Sequence, residues 1–453
     1  MVYFHAVALA LALLTLPAWP LAPWVVRGLA PGFEPEQAAL TVLLVRIVLP
    51  ATVFLGLAGW AQTVLNVHRH FLVRSAVGVP WNLSIIAGIF LAGALWDIRL
   101  AAWATLFGYS LQFLIQVPAL RRQGLRYRPV FEPLHPGLKE MAVLAVPALA
   151  GVGAHQVNFV VDRILASGLA EGSISVLNYS LKVAQLVHGL LAVSLITVFF
   201  PSLAERGAAE DLAGLRDRLV RGLAALAFLV VPATAVLVVL REDLVRLLFQ
   251  RGAFDVTDAR MTAVAVLFFG LGLPFLCWWD LEARAFYALR ETATPVKATL
   301  VVVAVNVVLN LILVRPMAHG GLALATSIAA LVGCVLLLCA LRRRLGGLGG
   351  GYLWRECGKV ALAAGVMGAA LWRAAPVLRG AVLGLTAARL GPLAPGGAAE
   401  TLALALYLAL AFLLAGGVYA AACRAFRVRE MALVRELGLG VLGRLARAHR
   451  PTA

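Results

Sequence analysis

Charge is scarce in this 453-residue chain: Asp, Glu, Lys and Arg together make up 13%, against about 25% in a soluble domain. So few charges cannot clothe a water-soluble surface of this size. Cysteine is also sparse. The five (Cys277, Cys334, Cys339, Cys357, Cys423) lie in or beside apolar runs and form no CxxC pair. That argues against a zinc or disulfide framework and leaves them as small apolar residues. No GxSxG, HExxH or Walker loop occurs, so the sequence offers no catalytic constellation and no ATP site. Acidic residues number 22 against 39 basic ones, a net charge of +17. Loop placement accounts for that excess without a nucleic-acid partner.

What is abundant is apolar sequence, 62% of the chain. A helix needs about 20 mainly apolar residues to cross a hydrocarbon core of about 30 Å. Runs of that kind predict twelve spans: 3–25, 38–64, 76–96, 99–120, 138–161, 173–200, 216–240, 258–287, 295–314, 319–341, 357–375 and 400–423. They are too long and too rich in Gly, Ala and Leu for barrel strands, and closed barrels are the only alternative to helices in lipid. The expected class is an all-α integral membrane protein of about 12 transmembrane helices. The first run has only His5 before it and exceeds a signal-peptide core in length, so it reads as a retained helix.

With the N-terminus in the cytoplasm, 26 of the 39 Lys and Arg residues fall on the cytoplasmic side and 11 outside. This obeys the positive-inside rule and places both termini inside. The tail from Arg424 to Arg450 interleaves cations with apolar residues. It reads either as a segment lying on the anionic inner leaflet or as a plain topology signal.

A weak internal repeat organises the chain. Leu29-Ala-Pro-Gly-Phe-Glu-Pro-Glu-Gln matches Leu248-Phe-Gln-Arg-Gly-Ala-Phe-Asp-Val-Thr-Asp: an outer loop with Gly before Phe, then an acidic helix start. Each is followed by a helix with a mid-span proline, Pro50 or Pro274, a cytoplasmic turn, and a further proline, Pro80 or Pro295. The units point the same way, as in transporters built from parallel repeats, whose substrates bind where the repeats meet. The expected organisation is a four-helix N-terminal lobe (1–135), a six-helix C-terminal lobe (136–345), and a C-terminal helix pair with a basic tail (346–453). The first lobe is two helices short of the second.

Few residues inside the spans carry chemistry. Lys182, in Asn178-Tyr-Ser-Leu-Lys-Val-Ala-Gln, is an ammonium within an apolar run. That costs at least about 2.5–3.5 kcal/mol on insertion scales, so it is expected to face water or to snorkel to the surface. Arg46 poses the same choice. Gln156, Asn158 and Gln185 are polar groups on apolar helices. Gln156 and Gln185 suit a wet cavity as donors, and all three suit helix-to-helix hydrogen bonding equally well. Asp162 either pairs with Arg163 beside it or joins Asn306, Asn310 and Thr326, of which Asn306 and Asn310 share a helix face. An all-oxygen set of that kind suits a hard cation; plain interhelical hydrogen bonding suits it as well.

The segments Leu248-Phe-Gln-Arg-Gly-Ala-Phe, Ala283-Arg-Ala-Phe-Tyr-Ala, Thr294-Pro-Val-Lys, Asn306-Val-Val-Leu-Asn-Leu, Gly321-Leu-Ala-Leu-Ala-Thr-Ser and Gln156-Val-Asn-Phe-Val-Val-Asp-Arg-Ile-Leu-Ala-Ser resemble the MurJ/MviN family. Its members are lipid II flippases of the multidrug/oligosaccharidyl-lipid/polysaccharide exporter superfamily. The resemblance implies fourteen helices in the family, of which this chain matches the third to the fourteenth. The cavity arginines of the family's first two helices have no counterpart here. It implies a diphosphate contact at Lys182, where the family usually has Arg, with Arg46, Gln156 and Gln185 as further candidates. It implies a sodium ion among Asp162, Asn306, Asn310 and Thr326, with Asn310 standing where a second carboxylate is found in relatives. It implies an isoprenoid groove on the last helix pair.

The expected function is translocation of undecaprenyl-linked peptidoglycan precursor across a bacterial cytoplasmic membrane by alternating access. The partners would be a lipid-linked diphosphate-sugar, the bilayer and cell-wall synthesis proteins. The rival readings are a flippase for another polyprenyl-linked glycan, a superfamily antiporter, or a non-transporting scaffold in cell-wall synthesis.

Overall fold

The computed structural model describes residues 2–67, 77–124, 132, 135–390 and 396–431. Among them the helices are α1 (Val2–Leu29), α2 (Pro35–Val48), α3 (Ala51–Val67), α4 (Gly78–Leu95), α5 (Arg99–Leu114), α6 (Val117–Arg122), α7 (Pro136–Ser167), α8 (Ser173–Val187), α9 (Ser194–Ala208), α10 (Leu212–Phe249), α11 (Val256–Ala288), α12 (Ala293–Arg344), α13 (Gly350–Leu390) and α14 (Ala398–Ala425). A π-helical turn, His188–Val193, joins α8 to α9. Ten stretches of described helix are long and apolar enough to cross a membrane. The expected span 138–161 falls on α7, most of whose side chains there lie outside the described residues, as do the cytoplasmic turn around Arg69 and the tail beyond Met431.

The chain forms two compact units, Met1–Gly153 and Ala154–Ala453, with the boundary inside α7. In the first unit α3 presents small residues to α6: Ala61, Leu65 and Leu120 form a buried cluster. Gln116 is wholly buried there and its Nε2 donates to the Ala58 carbonyl at 3.3 Å, which offsets part of the cost of burying the amide. α4 and α5 form a close hairpin: a Cβ at Gly88 would lie 2.1 Å from the Ala104 Cβ. Pro50 sits between α2 and α3 and interrupts them, since proline removes a backbone donor and its ring clashes with the preceding turn. Pro274, its partner in the repeat, stands inside the continuous α11. The two prolines therefore do not act alike.

The second unit is built around α10. This helix is apolar on nearly every side, the signature of a helix with neighbours all round. Leu215, Leu219, Leu223 and Leu226 of α10 are buried with Leu273, Leu281 and Phe286 of α11 and Leu337 and Leu341 of α12. Helix starts are fixed by carboxylates. The Asp211 carboxylate accepts from the Gly214 amide at 2.8 Å and pairs with Arg206. These contacts hold its carboxyl below the usual carboxylate range. Asp255 and Asp258 form a capping box at the start of α11.

α12 is two arms rather than one rod. Ala318 has φ 48° and ψ −131°, and the arms run antiparallel from that point. A Cβ on Gly321 would meet the Leu313 carbonyl at 2.2 Å, Asn306 lies against Thr326, and a Cβ on Gly333 would lie 2.8 Å from Val302. The arms occupy the expected spans 295–314 and 319–341. After left-handed Gly346, Gly347 and Gly349, α13 and α14 pack on each other and on α10. There Met367, Leu371, Leu404, Tyr407 and Leu408 meet Val236 and Leu240.

Candidate functional site

The polar residues of α8 share one face because of its helical period. Val176, Ser180, Val183 and Ala184 are buried, while Asn178, Lys182 and Gln185 are exposed at spacings of four and three. Ser180 fixes the orientation. Its hydroxyl donates to the Val176 carbonyl at 2.7 Å or to the Thr262 carbonyl of α11 at 3.0 Å, so the buried face is held against α11. The Lys182 ammonium lies 5.9 Å from the Tyr179 ring centroid, and among the described residues it makes no ion pair. Tyr179 is braced by Phe249 at 4.8 Å and Phe254 at 5.4 Å. Lys182 stands about 14 Å along the axis from the start of α8, a cation on an open face deep within an apolar helix.

α7 offers a similar edge. Gln156, Val160 and Arg163 are exposed at spacings of four and three. The Arg163 guanidinium donates to the Asn178 Oδ1 at 3.5 Å, at the margin of hydrogen bonding. Arg46, in the first unit, is committed locally: its guanidinium lies 4.9 Å from the Trp19 ring centroid and Nε donates to the Trp19 carbonyl at 3.3 Å. This stacking is a favourable cation–π contact that draws the charge toward α1.

Asp162 does not pair with its neighbour Arg163. It accepts from the Asn310 amide at 2.6 Å, the Asn310 amide also donates to Asn306 Oδ1 at 2.9 Å, and the Asn306 amide donates to Thr326 Oγ1 at 3.3 Å. The four residues that the sequence suggested as one set therefore meet as a hydrogen-bonded chain across α7 and both arms of α12. Asn310 is 0% and Asn306 1% exposed, so water cannot substitute for any partner they lose. The Asn310 Oδ1 is buried with no donor. Beside this chain, Asp162, Arg163 and Asn178 line a small open pocket of about 40 Å³ with Phe159, Phe269 and Leu322.

Other polar contacts were not legible beforehand. His188, at the start of the π turn, lies with Nε2 2.9 Å from the Asp280 carboxylate of α11. Glu282 is fully buried with Cys334 Sγ 3.7 Å away. At the far end of α10, Arg246 pairs with Glu400 at 2.8 Å and Arg379 with Asp243 at 3.3 Å, while the Tyr407 hydroxyl donates to Asp243 at 3.2 Å. The sequence shows only isolated charges near helix ends, and partners 52 to 164 residues apart leave no local pattern.

The family model described as "Lipid II flippase MurJ" matches residues 3–388. "Lipid II flippase MurJ" of Burkholderia cenocepacia is 32% identical over 345 residues, 74% of this chain and 67% of its own length. "Probable lipid II flippase MurJ" of Rhizobium meliloti is 32% identical over 431 residues, 90% of this chain and 77% of its own length. The alignment to the Rhizobium tropici relative covers 61% of that protein, so the chain spans roughly two thirds of the length of several curated relatives it matches. Among solved structures, "Lipid II flippase MurJ, inward closed conformation" superposes with a TM-score of 0.75 at 22% identity, covering 95% of this chain and 83% of that one. An inward-facing multidrug resistance MATE family transporter of the MOP superfamily gives 0.60 at 14% identity, covering 77% of this chain and 80% of that one. These two likenesses are of fold.

Proposed function

This chain belongs to the lipid II flippase MurJ family, and from that premise we propose that it carries an undecaprenyl-linked peptidoglycan precursor from the inner to the outer leaflet of a bacterial cytoplasmic membrane. The observation that carries the reading is Lys182: an ammonium without a carboxylate partner among the described residues, exposed beside Asn178 and Gln185 on one face of an otherwise apolar helix. A diphosphate supplies the missing counter-charge. Charge-assisted hydrogen bonds from Lys182, with neutral donors from Gln185 and Gln156, would hold the head group while the isoprenoid tail stays in lipid. Lys binds phosphate as a point charge and lacks the planar fork of Arg, so the grip is strong in charge and loose in orientation. That suits a ligand that must be released. Arg46, stacked on Trp19, is the weaker candidate of the two cations. Alternating access moves the site from one side to the other, with both termini in the cytoplasm and cell-wall synthesis proteins as partners.

The residues around Asp162 fit a monovalent hard cation. Asp162 would give one carboxylate and Asn306 and Thr326 neutral oxygens, and Asn310, whose Nδ2 now faces Asp162 and Asn306, would turn its amide to bring Oδ1 in as a fourth. Sodium bound there would supply fixed positive charge that ties α7 to α12. A cation-coupled antiporter is the second reading, favoured by the His188–Asp280 pair on α11, since exchange needs a carboxylate within the membrane.

The deciding experiment reconstitutes the chain in liposomes and follows exposure of lipid II at the opposite leaflet. Lys182→Ala is expected to lose at least about tenfold in rate, equivalent to about 1.4 kcal/mol, and Lys182→Arg to retain transport. Full activity of Lys182→Ala would overturn the assignment. Drug efflux without lipid II movement would favour the antiporter.

A further inference from the structure

The geometry points to Arg163, held by Asn178, as a second phosphoryl-binding subsite one helical turn outward of Lys182, which receives the diphosphate before release. This rests on the flippase reading and adds an exit station to it. Three observations carry it. Asn178 and Lys182 lie on the same exposed face of α8, four residues and so about 6 Å apart along the axis. Arg163 approaches that face from α7, with its guanidinium 3.5 Å from Asn178 Oδ1, and among the described residues it makes no ion pair. Arg163 and Asn178 also border one small pocket, of about 40 Å³, open at that face. Both sit toward the ends of α7 and α8 that the charge distribution places outside.

The neighbouring carboxylate sets the strength of the station. Asp162 lines the same pocket, with its oxygen turned to the Asn310 amide. A diphosphate at Arg163 therefore shares its pocket with a carboxylate. The planar fork makes Arg the better phosphate ligand, and Asp162 weakens it. An oriented but weakened site suits a ligand about to leave, whereas a tight one would trap it. A phosphoryl group at this place could instead belong to a bulk anionic phospholipid, since the chemistry is the same.

The test uses the full chain in liposomes and two readouts: equilibrium binding of lipid II, and its rate of appearance at the outer leaflet. Arg163→Ala is expected to change binding less than twofold and to slow appearance at least fivefold. Arg163→Lys should restore part of the rate, and Asn178→Ala, which frees the guanidinium, should fall between. Lys182→Ala should lose both readouts. Thermal unfolding in detergent checks that Arg163→Gln, which keeps a polar side chain, folds as the parent does. Unchanged transport by Arg163→Ala, with Lys182→Ala still inactive, overturns the exit station and leaves the flippase reading standing. Binding lost equally in both variants makes Arg163 part of the entry site and also overturns it. A third arm adds phosphatidylglycerol vesicles. If these abolish the difference between Arg163→Ala and the parent, the subsite belongs to bulk lipid and the station is wrong. If they leave it intact, the station holds.

Discussion

At the scale of single residues the most informative position is Asn310. Its amide nitrogen serves Asp162 and Asn306, while its oxygen is buried without a donor. An unsatisfied buried acceptor costs about 1–3 kcal/mol, and a cation at that oxygen would remove the cost. Asn310→Asp adds a second carboxylate and should enlarge the rise in melting temperature on adding sodium. Asn310→Leu should abolish the sodium effect and lower stability in its absence as well. Equal sodium shifts in all three proteins would leave the cluster as hydrogen bonding alone. The i,i+4 spacing of the two asparagines made their shared face legible in sequence, and the family resemblance supplied Asp162 and Thr326. What was not legible is which partner Asp162 chooses: Arg163 is adjacent in sequence, but the helix carries its side chain toward α8. Lys182 was legible for a different reason, since an ammonium inside an apolar run stands out against its surroundings.

Among the elements, α12 shows backbone and pattern in agreement. Its apolar run reads as two spans with a break near Arg315–Ala318, and the structure places that break at Ala318 with a positive φ. That region of φ and ψ is nearly reserved for glycine and costs about 1–3 kcal/mol otherwise. The turn cannot open, because Gly321 already brings the arms to backbone contact. Ala318→Gly should therefore stabilise the fold by on the order of 1 kcal/mol, read as a rise in the midpoint of thermal unfolding; a fall would show that the local backbone is relaxed. The outer clamp of α10 on the C-terminal pair makes a second case. The Arg246 and Glu400 side chains are only 15% and 9% exposed, so removing one strands the other, a loss of up to about 3–5 kcal/mol for buried pairs. Arg246→Met should thus destabilise more than the double variant Arg246→Met/Glu400→Leu. A double-mutant cycle on urea or thermal unfolding reads this directly, and additive losses would mean the pair is solvated. No local signal announced the clamp: each charge alone looks like a membrane-border residue.

For the molecule as a whole, the membrane class and the order of the helices were legible because lipid leaves the backbone few choices. Of the two prolines paired in the sequence, Pro50 lies between α2 and α3 and Pro274 inside the continuous α11, so a matched sequence position did not mean a matched helix boundary. Membrane potential is the energy source a charged head group can use directly. A diphosphate head carries negative charge outward, and each elementary charge crossing the bilayer gains about 2.3 kcal/mol per 100 mV of inside-negative potential. Part of that charge is cancelled if the Lys182 ammonium travels with it across the field. The parent chain in liposomes should therefore move lipid II faster under an imposed inside-negative potential, and collapsing the potential with a potassium ionophore should slow it. Lys182→Gln removes the cancelling cation, so whatever activity survives should depend more steeply on potential than the parent's. A rate indifferent to potential in the parent, with a sodium gradient sufficient on its own, would place the driving force at the Asp162 cluster instead.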